Sequence, residues 1–537
     1  MKLVDYADTF ADFSPYGWSA RRIGKIWSVT MPNGFEYQFD PSADERVDWF
    51  EVFSFNHVTT RLWHRSLVYL RNVAREADGW EAVGWFLGQF EELIHEAESD
   101  ANRLGMNSLD HALALELRTL CELRSLAERE RRSGPGSAPD AVERVIARVE
   151  RLVPSILHHA RSDGMLQRHN HGMMLVLALA HVALLFPDSS DAEVLRQDAI
   201  WLNECLVEVS GSDGVVSENT PAYQKLYIDI CEQAVEVFRL LPWELAETAE
   251  MADIALRLRT AYGHMLTPGG LVPSIGDAPQ RRERAIAPVL GSFHSERNGY
   301  FVLNEAGAQL AFTCGAAGPI HKQMDDSAVR LYVDETPLIL DAGLLTYDAH
   351  DLEAAGVRAQ PGHSGVFYPS LDKHPSFWFY PAAGPRRVDA AMLVVQDGPR
   401  DTGNVEASAR QHQEVLARYI VDGVFEARRS LEVRSPLDFT VRDWAKGPDG
   451  EAAVQRWLLP RSFAVSWNEG NNVVAESAAF RMVFSAPRSR WSLRTVAIGV
   501  VPRTRDFAWC LERRLQQGVE SETHVRVLRL ESGMESS

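Results

Sequence analysis

Cysteine is scarce, and what there is has no pattern. Cys121, Cys205, Cys231, Cys314 and Cys510 are scattered through 537 residues with no CxxC or other ligand spacing. An odd, dispersed set argues against a disulfide framework or a cysteine metal site and fits buried thiols in a reducing compartment. Positive charge is also short: 55 Lys and Arg against 74 Asp and Glu leave a formal net charge of -19, with a pI near 5.4. This balance speaks against a nucleic-acid partner, which would require a basic surface. An anionic ligand would need a locally basic cleft set against the overall field. Long apolar runs are missing too. The longest, Met173 to Phe186, contains His181 and is too short to span a bilayer, so it reads as a buried core helix and no membrane partner is expected. MKLVDYADTFADF has no apolar run after Lys2, so a cytoplasmic location is expected, or a periplasmic or secreted one if the N-terminus were truncated. Glycine nucleotide loops, HExxH, EF-hand and GxSxG elements are all missing.

What is present divides the chain. With 45% hydrophobic residues over this length, more than one domain is expected. Residues 1–48 read as a lead-in with a short strand at GFEYQFDP. From Trp49 the apolar residues recur with helical spacing over Trp63–Ala77, Trp80–Ser99, Ser108–Arg131, Pro139–Leu152, His171–Leu185, Asp191–Val209, Leu226–Leu240 and Leu245–Leu266. Short breaks between them imply helical hairpins, stacked or closed into a toroid. The Pro- and Gly-rich stretch 271–284 reads as a linker. Beyond it, 285–537 holds short alternating runs separated by turns, as in a large antiparallel sandwich. The expected fold class is an all-helical domain over 49–270 followed by an antiparallel β-domain.

Three segments carry chemistry. Arg168, His169, Asn170 and His171 stand at the mouth of the apolar helix, where the ordinary alternative is N-capping by Asn170. In SENTPAY, Glu218 and Asn219 precede Pro221, which pre-forms a first helical turn, and Tyr223; an amphipathic core tyrosine is the plain alternative. In GPIHKQMDDSAVRLYVDETPLILDAG, His321 and Asp341 stand at the ends of two strand-like runs whose alternation suggests one buried face.

These segments resemble the signatures of the heparinase II/III-like polysaccharide lyases: NHG at the helix, E-x-S/T-P-x-Y after it, and H-K-H-A-D-D, a strand pair and D-x-G in the β-domain. The resemblance covers roughly Trp63 to Asp443 and is sharp in the three motifs. It implies an α/α toroid followed by a β-sandwich and places Asn170, His171, Tyr223 and His321 as catalytic residues in one cleft. Tyr223 corresponds to the family's catalytic tyrosine. Arg168, Glu218, Lys322 and Arg358 are the associated substrate-binding candidates. Trp201, Phe377, Trp378, Phe379 and Tyr380 are available as sugar platforms, although most aromatics are core.

Two departures matter. Zinc-containing relatives hold the metal with the second His of H-K-H, the Asp of D-x-G and a later His. Here Asp341 and His363 match, but Gln323 replaces the second His, so no cofactor is expected to be required and a weakly bound structural zinc or calcium is the most the site would take. Met174 replaces a Glu found three residues after the helix His in some relatives, which leaves Asn170 to bind the substrate carboxyl. The implied activity is β-elimination on a uronate-containing acidic poly- or oligosaccharide, the expected partner, with a homodimer left open. Two alternatives remain at this point: a glycan-binding or polysaccharide-assembly protein with a lyase-like fold, and a glycoside hydrolase using Glu218 with Asp325 or Asp326.

Overall fold

The computed structural model describes Tyr6 and residues 18–530, except 33, 44–45, 52, 54–56, 99–108, 134–138, 242–244, 319, 347–350, 374–377, 380–385, 397–412, 449–450, 469–471, 487–489 and 500–504. The lead-in forms a small antiparallel sheet, β1 (Ser19–Ile23), β2 (Ile26–Thr30) and β3 (Glu36–Phe39). Helices follow: α1 (His57–Arg65), α2 (Leu70–Ala74), α3 (Gly79–Glu98), α4 (Leu109–Arg132), α5 (Pro139–Ala160), α6 (Asn170–Leu185), α7 (Ala192–Val209), α8 (Pro221–Leu240) and α9 (Glu247–Met265). The single helix expected over Trp63–Ala77 is instead broken between α1 and α2, where Leu67 takes a positive φ of 59°. Helix α5 runs through Pro154 to Ala160, beyond the expected end at Leu152. Ser99 and Ser108, expected helix ends, lie outside the described residues.

The chain packs as two compact units, residues 1–208 with 229–253, and 209–228 with 254–537. In the first, α4 packs against α5 and α6. Every residue of α6 from Gly172 to Ala183 is buried, as expected for a helix apolar all round. Within the same unit Arg65 pairs with Glu116 and Arg71 with Glu122, each at 3.0 Å and buried.

The second unit is dominated by antiparallel sheet. After the short pair β4 (Leu271–Val272) and β5 (Arg281–Arg282), a five-stranded sheet runs β10-β9-β8-β7-β6, with β6 (Gly291–Ser295), β7 (Tyr300–Glu305), β8 (Ala308–Thr313), β9 (Ala328–Val333) and β10 (Thr336–Ile339). A four-stranded sheet holds β11 (Val366–Phe367) beside β17 (Val454–Pro460), with β22 (Asp506–Arg514) and β21 (Ser492–Ile498). The nine-stranded sheet runs from β12 (Trp378–Phe379) through β13 (Arg386–Gln396), β14 (Gln413–Val421), β15 (Phe425–Ser435) and β16 (Asp438–Lys446) to β23 (Ser521–Arg529). It continues with β20 (Phe480–Ser485), β19 (Val473–Glu476) and β18 (Ala464–Trp467). A common core joins the sheets through Phe312, Leu331, Val415, Phe439, Trp457 and Leu511. All five cysteines are buried and none is in a disulfide.

Two expectations need correction. Strand β9 is buried on both faces, Arg330 included, because Arg330 has carboxylate partners inside. Residues 271–284, expected as a linker, carry a strand pair and a buried stretch, with Ser274, Ile275, Asp277 and Ala278 all inside. Proline and glycine there shape a packed turn.

Candidate active site

The second unit gathers Glu218, Tyr223, His321, Gln323 and Arg358 around a residue that the motifs do not mark, Asp277. Tyr223 lies in the first turn of α8, whose start is fixed from both sides. Thr220 Oγ1 accepts from the Ala222 amide at 3.2 Å, while Gln224 donates to the carbonyls of Gly214 and Leu258 at 2.6 and 3.0 Å. Just before the helix, Asn219 takes a positive φ of 57° and its amide nitrogen donates to the carbonyls of Gly318 and Ile320 at 2.8 and 2.9 Å. The loop ending α8's lead-in is thereby tied to the loop carrying His321. His321 itself has φ 56°, an uncommon backbone state for a non-glycine residue that neighbouring structure must hold in place. Its ring stacks on that of Tyr223, with centroids 3.6 Å apart and planes at 20°.

The edges of the imidazole face carboxylates. Nδ1 is 3.2 Å from Asp277 Oδ2 and Nε2 is 3.6 Å from Glu218 Oε2. Glu218, buried, also accepts a hydrogen bond from the Tyr227 hydroxyl. Asp277, fully buried, collects two further donors: Gln323 Nε2 on Oδ1 at 3.0 Å and an Arg358 guanidinium nitrogen on Oδ2 at 3.2 Å. Segment 274–277 is held by β9, since Arg330 Nε donates to the Ser274 carbonyl at 3.2 Å and the Tyr332 hydroxyl accepts from the Ser274 amide at 3.3 Å. At Gly276, φ is +57°, and a Cβ would come within 2.7 Å of the Asn219 carbonyl and 2.9 Å of that of His321. Only glycine lets these three backbones meet.

Lys322 is corrected as a substrate-binding residue. Its ammonium is buried and paired with Asp325 and Asp326, so its charge is neutralised internally. Burial alone would raise the Asp325 pKa, yet Lys322 and Arg330 outweigh that and hold it well below the usual carboxylate range. The same carboxylates hold the Lys322 ammonium above its ordinary value against the opposing pull of burial.

The residues do not fit the zinc that the resemblance implies at Asp341 and His363. His363 Nδ1 lies 2.5 Å from Asp341 Oδ1, while Asp341 Oδ2 pairs with the fully buried Arg330 guanidinium. Both oxygens are thus engaged by protein cation or imidazole. Gln323, at the third ligand position, donates its amide to Asp277 and to the Gly343 carbonyl at 3.1 Å. Arg330 bridges Asp325 and Asp341, supplying positive charge from the chain itself.

In the helical unit the NHG segment forms a second polar cluster. The N-cap of α6 is His169 and not Asn170, the residue of the ordinary capping alternative: the His169 Nδ1 accepts the His171 amide at 3.2 Å, and Asn170 is the first helical residue. His171 and Asn170 are half-buried. His171 Nδ1 lies 3.7 Å from Asp110 Oδ1, and its ring stacks on His111 with centroids 4.4 Å apart. Burial, followed by the neighbouring His171, pushes His111 down to about 3, so it is neutral at physiological pH. Ligand atoms of Asp110, His169 and His171 lie within 4.8 Å of one another. However, capping occupies His169 Nδ1, which leaves Nε2 protonated to donate to Gln167 Oε1 at 2.8 Å, so this group also fits a metal poorly. Arg168 is paired at the surface with Glu208 at 2.9 Å and Glu204 at 3.5 Å. Of the candidate aromatic platforms, Trp201 is partly buried on α7, and Phe377 and Tyr380 lie outside the described residues.

Residues 288–524 match the family model described as Heparinase II/III-like, C-terminal. No curated protein matches the sequence significantly. Similar solved structures include a heparinase III, 13% identical over 93% of this chain and 82% of that one with a TM-score of 0.66. A mutant of the heparan sulfate lyase HepC from Pedobacter heparinus is 13% identical over 93% and 80%, with a TM-score of 0.64. A heparinase III gene product with methylated lysines is 12% identical over 94% and 82%, also with a TM-score of 0.64. At such identities the likeness is one of fold, an α/α toroid followed by an antiparallel β-sandwich. The C-terminal region 288–524 is thus similar to the Heparinase II/III-like C-terminal family, in keeping with the motif it carries.

Proposed function

We propose that the protein is a lyase that cleaves uronate-containing acidic poly- or oligosaccharides by β-elimination. The observation carrying this reading is the stacked Tyr223–His321 pair, with the imidazole flanked by buried Asp277 and Glu218. In the elimination the C5–H bond breaks as His321 Nε2 takes the proton, a C4=C5 double bond forms, and the C4–O bond breaks as the Tyr223 hydroxyl protonates the leaving oxygen. Solvent exchange then returns the proton from His321 to Tyr223. Glu218 beside Nε2 stabilises the imidazolium formed. Charge building on the sugar carboxylate as the enediolate develops calls for hydrogen-bond donors, each well-placed one contributing about 3 kcal/mol. No step is routed through a metal.

The test is incubation with a panel of acidic polysaccharides and oligosaccharides, with products read by ultraviolet absorbance and mass. Unsaturated uronyl products support the proposal. Saturated products one water heavier would favour hydrolysis, and binding without turnover would favour a glycan-binding role.

A further inference from the structure

We propose that Asp277 is a positioning residue that fixes the protonation pattern of His321, an inference that rests on the lyase reading for its kinetic consequence but not for its structural content. Three residues, His321, Gln323 and Arg358, converge on this one carboxylate. Gln323 and Arg358 carry N–H donors and no competing acceptor toward it, so Asp277 is held as an acceptor. Of the two carboxylates that face the ring, Asp277 Oδ2 lies within hydrogen-bonding distance of Nδ1 at 3.2 Å, whereas Glu218 Oε2 stands 3.6 Å from Nε2; the closer acceptor holds the proton of the neutral ring on Nδ1 and leaves Nε2 as the atom that takes and returns protons. The backbone supports the same orientation: Gly276 permits the close approach that sets Asp277 beside His321, and Asn219 staples the His321 loop from the other side.

The tautomer is read directly by NMR of the full-length protein carrying 15N-histidine, with His321 assigned by loss of its signals in His321→Gln and spectra taken where the ring is neutral. The expected wild-type result is protonated Nδ1 and unprotonated Nε2. In Asp277→Asn the amide can donate to Nδ1, so the tautomer should invert. The variant's kcat on a cleaved uronide should then fall by about 10² to 10⁴ with KM within about threefold. A protonated Nε2 in the neutral wild-type ring overturns the proposal, and so does a folded Asp277→Asn variant that keeps wild-type kcat. If Asp277→Asn fails to fold, the wild-type spectrum decides. If no uronide is eliminated by the wild type, the lyase reading falls while the tautomer measurement still stands or fails by itself.

Discussion

Arg330 is a charge deep in a strand that is buried on both faces, joined there to Asp325 and Asp341. Removing one partner of such a group strands the others without solvent, so Arg330→Met should cost about 3–5 kcal/mol in denaturant unfolding; a loss under about 1 kcal/mol would show that the network contributes little. Because the chain supplies this cation, chelator treatment is expected to leave both the melting temperature and turnover unchanged. Stoichiometric zinc by elemental analysis, with loss of either property on removal, would contradict that. Tyr223→Phe keeps the ring that stacks on His321 but loses the proton donor, so kcat and kcat/KM should fall together by about 10² to 10⁴. Near-wild-type kcat would make Tyr223 a packing residue. At this scale the sequence exposed His321, Glu218 and Tyr223 through their motifs. It hid Asp277, since a Gly-Asp pair among prolines reads as a turn and only the fold shows that its carboxylate is buried.

Among elements, three left-handed backbone positions meet at the site: Asn219, Gly276 and His321. Gly276→Ala would force a Cβ against two carbonyl oxygens at a φ of +57°, so it should lower stability by about 1–3 kcal/mol and lower turnover as well. A Gly276→Ala protein with unchanged melting temperature and activity would show that the junction is compliant. Helix α6 and most strands were legible because their burial follows one period, as in β14. Strand β15 was not, because its inward positions are Phe425, Ala427, Arg429, Leu431 and Val433. Arg429 interrupts the apolar alternation and is satisfied by Asp443 on β16 at 2.7 and 2.9 Å, a partner that periodicity does not reveal. The helical break at Leu67 was hidden for a similar reason, since a buried leucine with positive φ carries no turn signature.

At the scale of the molecule, the helical unit should be the first to respond to acid. Burial pushes His64 and His111 down to about 3, whereas the unfolded chain takes up these protons near pH ~6.5. Their contribution is therefore complete above about pH 6.5 and is lost as pH falls toward about 3, at about 1.4 kcal/mol per pH unit for each histidine. Asp325, depressed in the second unit, loses its contribution only below about pH 3.9. Thermal melts followed in the helical band of the far-ultraviolet circular dichroism should show a falling midpoint between about pH 6.5 and 4.5; a flat midpoint there would contradict the assignment of buried neutral histidines. The central claim, elimination without water, is tested most directly by digesting acidic glycans in water enriched in 18O and weighing the products. Fragments carrying an unsaturated uronyl end, whose summed mass equals that of the substrate with no 18O incorporated at the cleaved bond, are the expected result. One 18O per cleavage and no ultraviolet-absorbing end would make the protein a hydrolase and contradict the account.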